Sequence, residues 1–537
     1  MSHEVPTKFS VSLRSFVGAP IRWGWSRMSL GRTRSVAVTG IHGKLVEVEA
    51  DVSPGLPAFI VSGMPDAACK QAPDRIRAAA NNCGLELPKQ RITVNLSPAS
   101  LPKQGSGFDL AIAIATLASG GTITTDQVAT VVHIGELGLD GTVRAIPGVL
   151  PAVLAALDAG ARQVVVPLAN AAEAALVPDI EVVPVDSLAA LVKRYQALAR
   201  RRPLPELPPV PEPAEISTQV PDLADVVGQS EARYALEVAA AGGHHLAMIG
   251  PPGAGKTMIA ERLPGLLPPL TREQALEVTA IHSVLGALPE QVLIERPPFV
   301  APHHGASMPA VVGGGSGRVR PGAASRAHRG VMFLDECPEF RRDVLDALRQ
   351  PLESGVVRVA RADQVVTFPA RFQLVLAANP CPCGQNYGKG SKCTCAPQRR
   401  RDYLSRMSGP LLDRVDVQLT MLPVTRAALA GPRGESSAQV AARVVQARRR
   451  QAARWAPLGL TRNSEVPGAV LRSSAWRLPG AVTRGLDRAI ELGQLTLRGY
   501  DRCLRVAWTI SDLDGAGQPG FRQVEEARGL RAGSAAA

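Results

Sequence analysis

Lys256 and Thr257 close the stretch Gly250-Pro251-Pro252-Gly253-Ala254-Gly255-Lys256-Thr257. The spacing is that of a loop that cradles phosphate, G-x-x-x-x-G-K-[ST]. Gly253 and Gly255 let the backbone turn tightly, so that successive N–H groups can point at phosphate oxygens where a helix begins. Lys256 then reaches the outer phosphates of a nucleoside triphosphate such as ATP, and the Thr257 hydroxyl is placed to ligate Mg²⁺.

Binding is not hydrolysis, which needs further groups. The apolar run Val331–Leu334 ends in Asp335 and Glu336. Asp335 can join Thr257 in holding Mg²⁺, and Glu336 can polarise an attacking water. The run Gln373–Ala378 ends at Asn379, where a polar amide at the C-terminal end of a strand faces the ligand crevice and can orient that water. Arg414, in Leu411-Leu412-Asp413-Arg414, is a candidate arginine finger acting on the γ-phosphate of a neighbouring subunit. Arg498, in a helical stretch near the C-terminus, adds a second positive charge from a lid.

Other residues could do different chemistry. Cys381, Cys383, Cys393 and Cys395 fall within fifteen residues. Four thiolates can hold tetrahedral Zn²⁺ and staple a loop too small for a core, but the C-x-C spacing is tighter than usual, so zinc and reduced thiols both stay open. Cys69, Cys83, Cys337 and Cys503 are scattered and read as small buried hydrophobes. His303 and His304 are adjacent, and in an extended segment their rings point to opposite sides, which favours loop hydrogen bonding over a shared metal. Arg358 and Arg361 sit in a hairpin pattern reaching Val366, where they either track a phosphate backbone or carry solvated charge.

The elements that position these groups are readable from pattern. His245–Ile249 is a buried strand ahead of the phosphate loop and Met258–Leu263 begins a helix behind it. Residues 221–423 therefore form an α/β nucleotide-binding core, with the cysteine-rich loop at 381–395. Residues 35–199 alternate in strand fashion and then mix strands (Ile92–Leu96, Val164–Pro167) with helices (Phe108–Leu117, Pro147–Gly160), an α+β domain. Closely spaced prolines make 200–220 an extended linker. Residues 424–514 are helical, with Val440, Val444 and Ala447 on one face and five arginines from Arg443 to Arg454 over much of the rest. Residues 515–537 are expected to be disordered, and 1–34 to be a disordered or mis-annotated extension with Met28 as the start.

The chain has 537 residues, 45% of them hydrophobic and 20% charged, and a net charge of +13. That length implies several domains of ordinary globular composition. No apolar run approaches the ~18 residues of a membrane span, and Arg14 and Arg22 interrupt the apolar N-terminus, so the chain is read as cytoplasmic, without a membrane partner. The positive charge points to an anionic partner, nucleic acid first, or to an arginine-rich surface without one.

The stretches GPPGAGKT, APHHGASMPAVVGGGS, GVMFLDECPEF, LRQPLESG, LAANPCPCG and SGPLLDRVD, in this order, resemble the YifB/ComM family of magnesium-chelatase-like AAA+ ATPases. The resemblance runs from about Ser35 to Leu513. It implies a Walker A at Gly250–Thr257, a Walker B at Asp335 and Glu336, a sensor 1 at Asn379, an arginine finger at Arg414 and a sensor 2 at Arg498. Asp225–Gln229 looks like the segment packed near the adenine. In related proteins the hairpin and the His303–His304 loop belong to insertions facing the pore of a ring. The ComM branch implies a homo-hexameric DNA helicase acting on single-stranded or branched DNA; the magnesium-chelatase motor implies instead an ATPase that remodels a protein partner. Two departures stand out: Ala323 where the family has an acid, and Lys70–Ala79 where it has a more charged helix. PKQGSGFDLAIA and the segment from His133 to Pro167 also resemble the Lon-protease fold. The stretch Ile146–Val153 holds no lysine, so Ser106 lacks the base of a Ser–Lys dyad and is expected to be structural.

Overall fold

The computed structural model describes residues 30–210, 220–288, 293–315, 318–361, 365–388, 392–407, 409–429 and 433–532. The N-terminal part is built on a seven-stranded sheet. In spatial order its strands are Ala58–Ser62, Arg91–Ser97, His42–Ser53, Gly31–Thr39, Val132–His133, Gln163–Pro167 and Glu181–Val185. Along His42–Ser53 the residues Val46, Val48, Ala50 and Val52 face the core while Glu47, Glu49 and Asp51 face away, the period-2 pattern of a one-sided strand. The helix Asp109–Ser119 packs on it and is buried on every side. Its one charge, Asp109, is met by Arg75 at 2.6 and 2.8 Å.

The first strand begins at Gly31, so the boundary expected at 34 moves. Thr33 is buried and donates to the carbonyls of Val128 and Val131 at 3.0 and 3.1 Å, which ties 31–34 into the sheet. The extension and Met28 lie outside the described residues.

The second unit is a five-stranded, all-parallel sheet ordered Phe299–Val300, Val331–Leu334, Gln373–Ala378, Leu246–Ile249, Val417–Thr420. Its inner strands are buried on both faces, as parallel strands covered by helices must be. Helices Ser437–Trp455, Gly480–Glu491 and Leu497–Leu513 complete the C-terminal part. They share one continuous apolar core with helix Ser230–Gly242 and the sheet, centred on Trp455, with Trp476 and Trp508 at ring distances of 4.5 and 6.0 Å.

Two expectations change here. Three arginines of the basic face of Ser437–Trp455 turn to neighbouring elements: Arg443 pairs with Glu237 and Glu435, Arg448 donates to the carbonyl of Ala240, and Arg454 pairs with Asp512 and lies 4.5 Å over the Trp508 ring. Arg443, Arg448 and Arg454 thus fasten helices together, while Arg449 and Arg450 remain exposed. The expected disordered tail contains a helix, Phe521–Ala532. Val524 and Ala527 are fully buried in the shared core, and Arg531 donates to the carbonyl of Val415 at 2.7 Å. Only a few apolar residues at helical spacing, after a run of glycines and Pro519, carry that pattern, and tertiary burial stabilises it. Deleting residues 521–537 is expected to cost at least ~2 kcal/mol, because a valine and its neighbours lose their burial; a lower urea midpoint would register it.

The N-terminal sheet docks on this unit in two places. Ala280 of helix Arg272–Leu285 enters the core formed by Val149, Leu150 and Val153. Ser283 pairs with Glu173 through its hydroxyl and accepts from the N–H of Gly148 at 3.0 Å through its carbonyl. Separately, Ile41 packs with Val319 and with Val366 and Phe368 of the hairpin formed by Val356–Ala360 and Val365–Pro369. Between the units, residues 202–210 carry no regular structure and 211–219 are outside the described residues. Among the described residues no helix is long and apolar enough to cross a membrane.

Candidate active site

Strand Leu246–Ile249 lies inside the parallel sheet, between Gln373–Ala378 and Val417–Thr420, and delivers Gly250 to its C-terminal edge. Gly253 and Gly255 both take left-handed backbone, φ 78° and 87°, the conformation that side chains resist. Helix Lys256–Leu266 starts directly behind them. Lys256 folds back on the loop: Nζ donates to the carbonyls of Gly250 and Pro251 at 2.6 and 3.0 Å and to Oδ1 of Asn379 at 3.1 Å. Burial pulls its ammonium below the ordinary lysine value, and Asp335 and Glu336 push it back up. Gln229 ties the loop down from outside, donating to the carbonyls of Ala254 and Leu422 at 3.0 and 2.7 Å.

The acidic pair arrives at the same edge from strand Val331–Leu334, with Gln373–Ala378 lying between it and Leu246–Ile249. Thr257 Oγ1 donates to Oδ2 of Asp335 at 2.8 Å, and the other oxygen of Asp335 accepts the N–H of Glu336 at 2.9 Å. A hydroxyl and a carboxylate side by side are the hard oxygen donors that Mg²⁺ takes, and the N–H groups of the turn before the helix suit phosphate. The residues therefore fit ATP and Mg²⁺. Glu336 itself has left-handed backbone, φ 50°, which turns the chain away from the strand. His304 Nδ1 lies 3.3 Å from its Oε2, a contact that sequence spacing did not signal. The rings of His303 and His304 are 4.1 Å apart and inclined by 33°. They lie on one side, because the chain turns at 304 instead of staying extended, and the N–H of Gly305 donates to His303 at 3.0 Å.

Arg414 and Arg498 are not at this edge. Strand Val417–Thr420 runs parallel to Leu246–Ile249, so Arg414, which precedes it, sits at the N-terminal edge of the sheet, opposite the phosphate loop. Arg414 pairs there with Glu353. Two residues on, buried Asp416 accepts from Arg502 at 2.5 Å and from the N–H of His245 at 3.3 Å. Burial pushes the Asp416 carboxyl up, but the Arg502 guanidinium and the nearby His244 outweigh it and hold it well below the usual carboxylate range. Arg502 is one helical turn after Arg498. Both line a cavity of about 1210 Å³ with Arg414, Arg448, Arg462 and Arg505. The structure thus divides the predicted residues: Lys256, Thr257, Asp335, Glu336 and Asn379 converge, and Arg414 and Arg498 face the other way together.

The four cysteines also converge. Sulfur separations are 3.4 Å between Cys381 and Cys383, 3.5 Å between Cys381 and Cys393, and 3.6 Å between Cys383 and Cys393. With Cys395 included, all lie within 4.8 Å of one another. A Zn–S bond of ~2.3 Å puts tetrahedral sulfurs about 3.8 Å apart, so the quartet fits zinc. In the N-terminal part Ser106 pairs with Glu136, and Lys103 is buried and donates to the carbonyls of Leu96, at 2.7 Å, and Pro98. Both side chains are spent on neighbours.

Three family models match the chain in tandem: "Subunit ChlI of Mg-chelatase" over residues 48–170, "Magnesium chelatase, subunit ChlI" over 222–429, and "Magnesium chelatase, subunit ChlI C-terminal" over 434–531. The chain is 51% identical over 508 residues to an uncharacterized protein of Mycobacterium tuberculosis, covering 94% of this chain and 99% of that one. It is 41% identical over 510 residues to Competence protein ComM of Haemophilus influenzae (94% and 98% covered). Identity to protein YifB of Escherichia coli is 40% over 512 residues (94% and 97%). A part of the chain, 41% of it, is 29% identical over 236 residues to Lon protease of Rhizobium meliloti, of which it covers 28%.

Proposed function

The chain belongs to the YifB/ComM family of magnesium-chelatase-like AAA+ ATPases, and from that premise we propose that it is an ATP-hydrolysing motor that assembles as a homo-hexameric ring and acts on DNA. Its work is the migration of branched or single-stranded DNA when incoming DNA recombines, in the cytoplasm. The observation that carries the ring is the division of one site between two sheet edges. Lys256, Asp335, Glu336 and Asn379 occupy one edge and Arg414 and Arg498 the other, so an adjacent subunit must supply the arginines.

At that joint Lys256 exchanges its own carbonyl partners for the β- and γ-phosphates. Glu336 takes the proton of the attacking water, which the amide of Asn379 orients. Thr257 and Asp335 would hold Mg²⁺, which would neutralise the developing phosphate charge. Arg414 leaves Glu353 for the neighbour's γ-phosphate, and Asp416 with Arg502 holds its strand and the helix of Arg498 in one piece.

DNA is supported by exposed Arg358 on the hairpin, by the net charge of +13, and by the name of the competence relative. Arg443, Arg448 and Arg454, engaged with neighbouring helices, drop out of that argument, and exposed Arg449 and Arg450 stay in it. The N-terminal part is read as a Lon-protease-like fold without peptidase activity, since Ser106 meets a carboxylate and no lysine. The cysteine quartet is read as a structural zinc site.

ATP turnover with and without single-stranded and four-way-junction DNA, across a salt series, tests the substrate. Stimulation several-fold at low salt, falling steeply as salt rises through counterion release, is expected. Arg358→Ala should lower the DNA-stimulated rate. Turnover indifferent to every DNA would overturn the DNA reading and favour a motor that remodels a protein partner.

A further inference from the structure

Asn379, Pro380 and Cys381 are consecutive, so the amide that holds Lys256 is two residues from the first thiol. Cys381 is fully buried, and its carbonyl accepts the N–H of Gly384 at 2.9 Å. Gly384 has φ 73°, and a Cβ built there would lie 2.6 Å from Cδ and 2.8 Å from Cγ of Pro252. Pro252 is the third residue of the phosphate loop. The cysteine loop therefore leans on the nucleotide site twice, through Asn379 at its start and through Gly384 against Pro252.

This loop has little else to fix its shape. Beyond Cys381, most of its described residues up to Ala396 are exposed or half-buried, and in a segment with so little core a bound metal supplies folding energy directly. The sulfur separations match a tetrahedral zinc set, as described above.

We infer that the Cys381, Cys383, Cys393, Cys395 quartet holds Zn²⁺ as a brace of the phosphate loop, so that zinc and nucleotide binding are energetically coupled. Zinc fixes the turn at Gly384, which keeps Pro252 and Asn379 where the nucleotide needs them. Coupling of this kind is reciprocal: bound nucleotide must tighten zinc by the same factor. The inference rests on the reading of Gly250–Thr257 as the nucleotide site.

The test uses the full chain. Metal analysis should find about one zinc per chain, as four thiolates close one site, and Cys393→Ser should lose it. A fluorescent ADP analogue should bind the zinc-loaded protein and bind roughly 5- to 150-fold more weakly after chelation, the usual range of coupling. Zinc affinity, read by competition with a colorimetric chelator, should rise by the same factor when ADP is present. Gly384→Ala should retain zinc yet weaken ADP, because its methyl group displaces Pro252. Absence of zinc overturns the metal assignment. Stoichiometric zinc with an unchanged ADP dissociation constant on chelation overturns the coupling, and Gly384→Ala binding ADP normally overturns its route through Pro252. Zinc-loaded protein that binds no ADP overturns the coupling and the nucleotide reading together, with the metal assignment standing apart.

Discussion

Glu336→Gln is expected to lower ATP turnover roughly 100- to 10,000-fold, the range for losing a general base, with ATP still bound. The amide has the size of the carboxylate but cannot take the water's proton. Binding is carried by other groups: the turn from Gly250 to Gly255, Lys256, and the Thr257–Asp335 pair at 2.8 Å. Asp335 is engaged with Thr257 and with the N–H of Glu336, so it is no substitute. Phosphate release measured beside binding of a fluorescent ATP analogue separates the two effects. A Gln variant turning over within tenfold of the parent would remove Glu336 from the chemistry.

Arg414→Ala carries the second large effect, a loss of roughly 1,000- to 100,000-fold if the guanidinium acts as an arginine finger. Its position makes the result diagnostic, since it sits at the sheet edge opposite its own phosphate loop. A chain with Lys256→Ala should also be inactive, for want of a phosphate ligand. Mixing the two inactive proteins should restore part of the activity, because some joints then pair an intact phosphate loop with an intact Arg414. No recovery on mixing, with ring assembly verified by light scattering, would place Arg414 outside the neighbour's site. The ion pair with Glu353 holds the side chain in readiness, and Asp416 with Arg502 keeps the strand start from drifting.

What could be read from sequence was whatever is local. The phosphate loop is eight consecutive residues whose glycines and lysine act within one turn. Asp335, Glu336 and Asn379 each follow an apolar run, and a parallel sheet brings the ends of such runs together. The edge to which Arg414 belongs follows from its place before a strand instead of after one. Contacts between distant segments left no such trace. His304 meets Glu336 across 32 positions, and Asp416 meets Arg502 across 86, with nothing in either neighbourhood to announce it. Arginine is ambiguous by nature: Arg443, Arg448 and Arg454 read as a charged face because charge usually seeks water, yet Glu237, a free carbonyl and Asp512 draw them in. The helix at 521–532 is hidden for the same reason, its order depending on burial against helices Gly480–Glu491 and Leu497–Leu513 and strand Val417–Thr420.

The docking of Ile41 on Val366 and Phe368 has a mechanical consequence. The hairpin that carries Arg358 is not a free lever, since its far side is glued to the seven-stranded sheet, and that sheet is fastened again to helix Arg272–Leu285 through Ser283 and Ala280. Any movement of the hairpin would therefore have to carry the N-terminal domain with it or break these contacts. The load passes across the docked surfaces and not along the segment that joins the two units, so force at Arg358 would be shared with a body of more than a hundred and fifty residues.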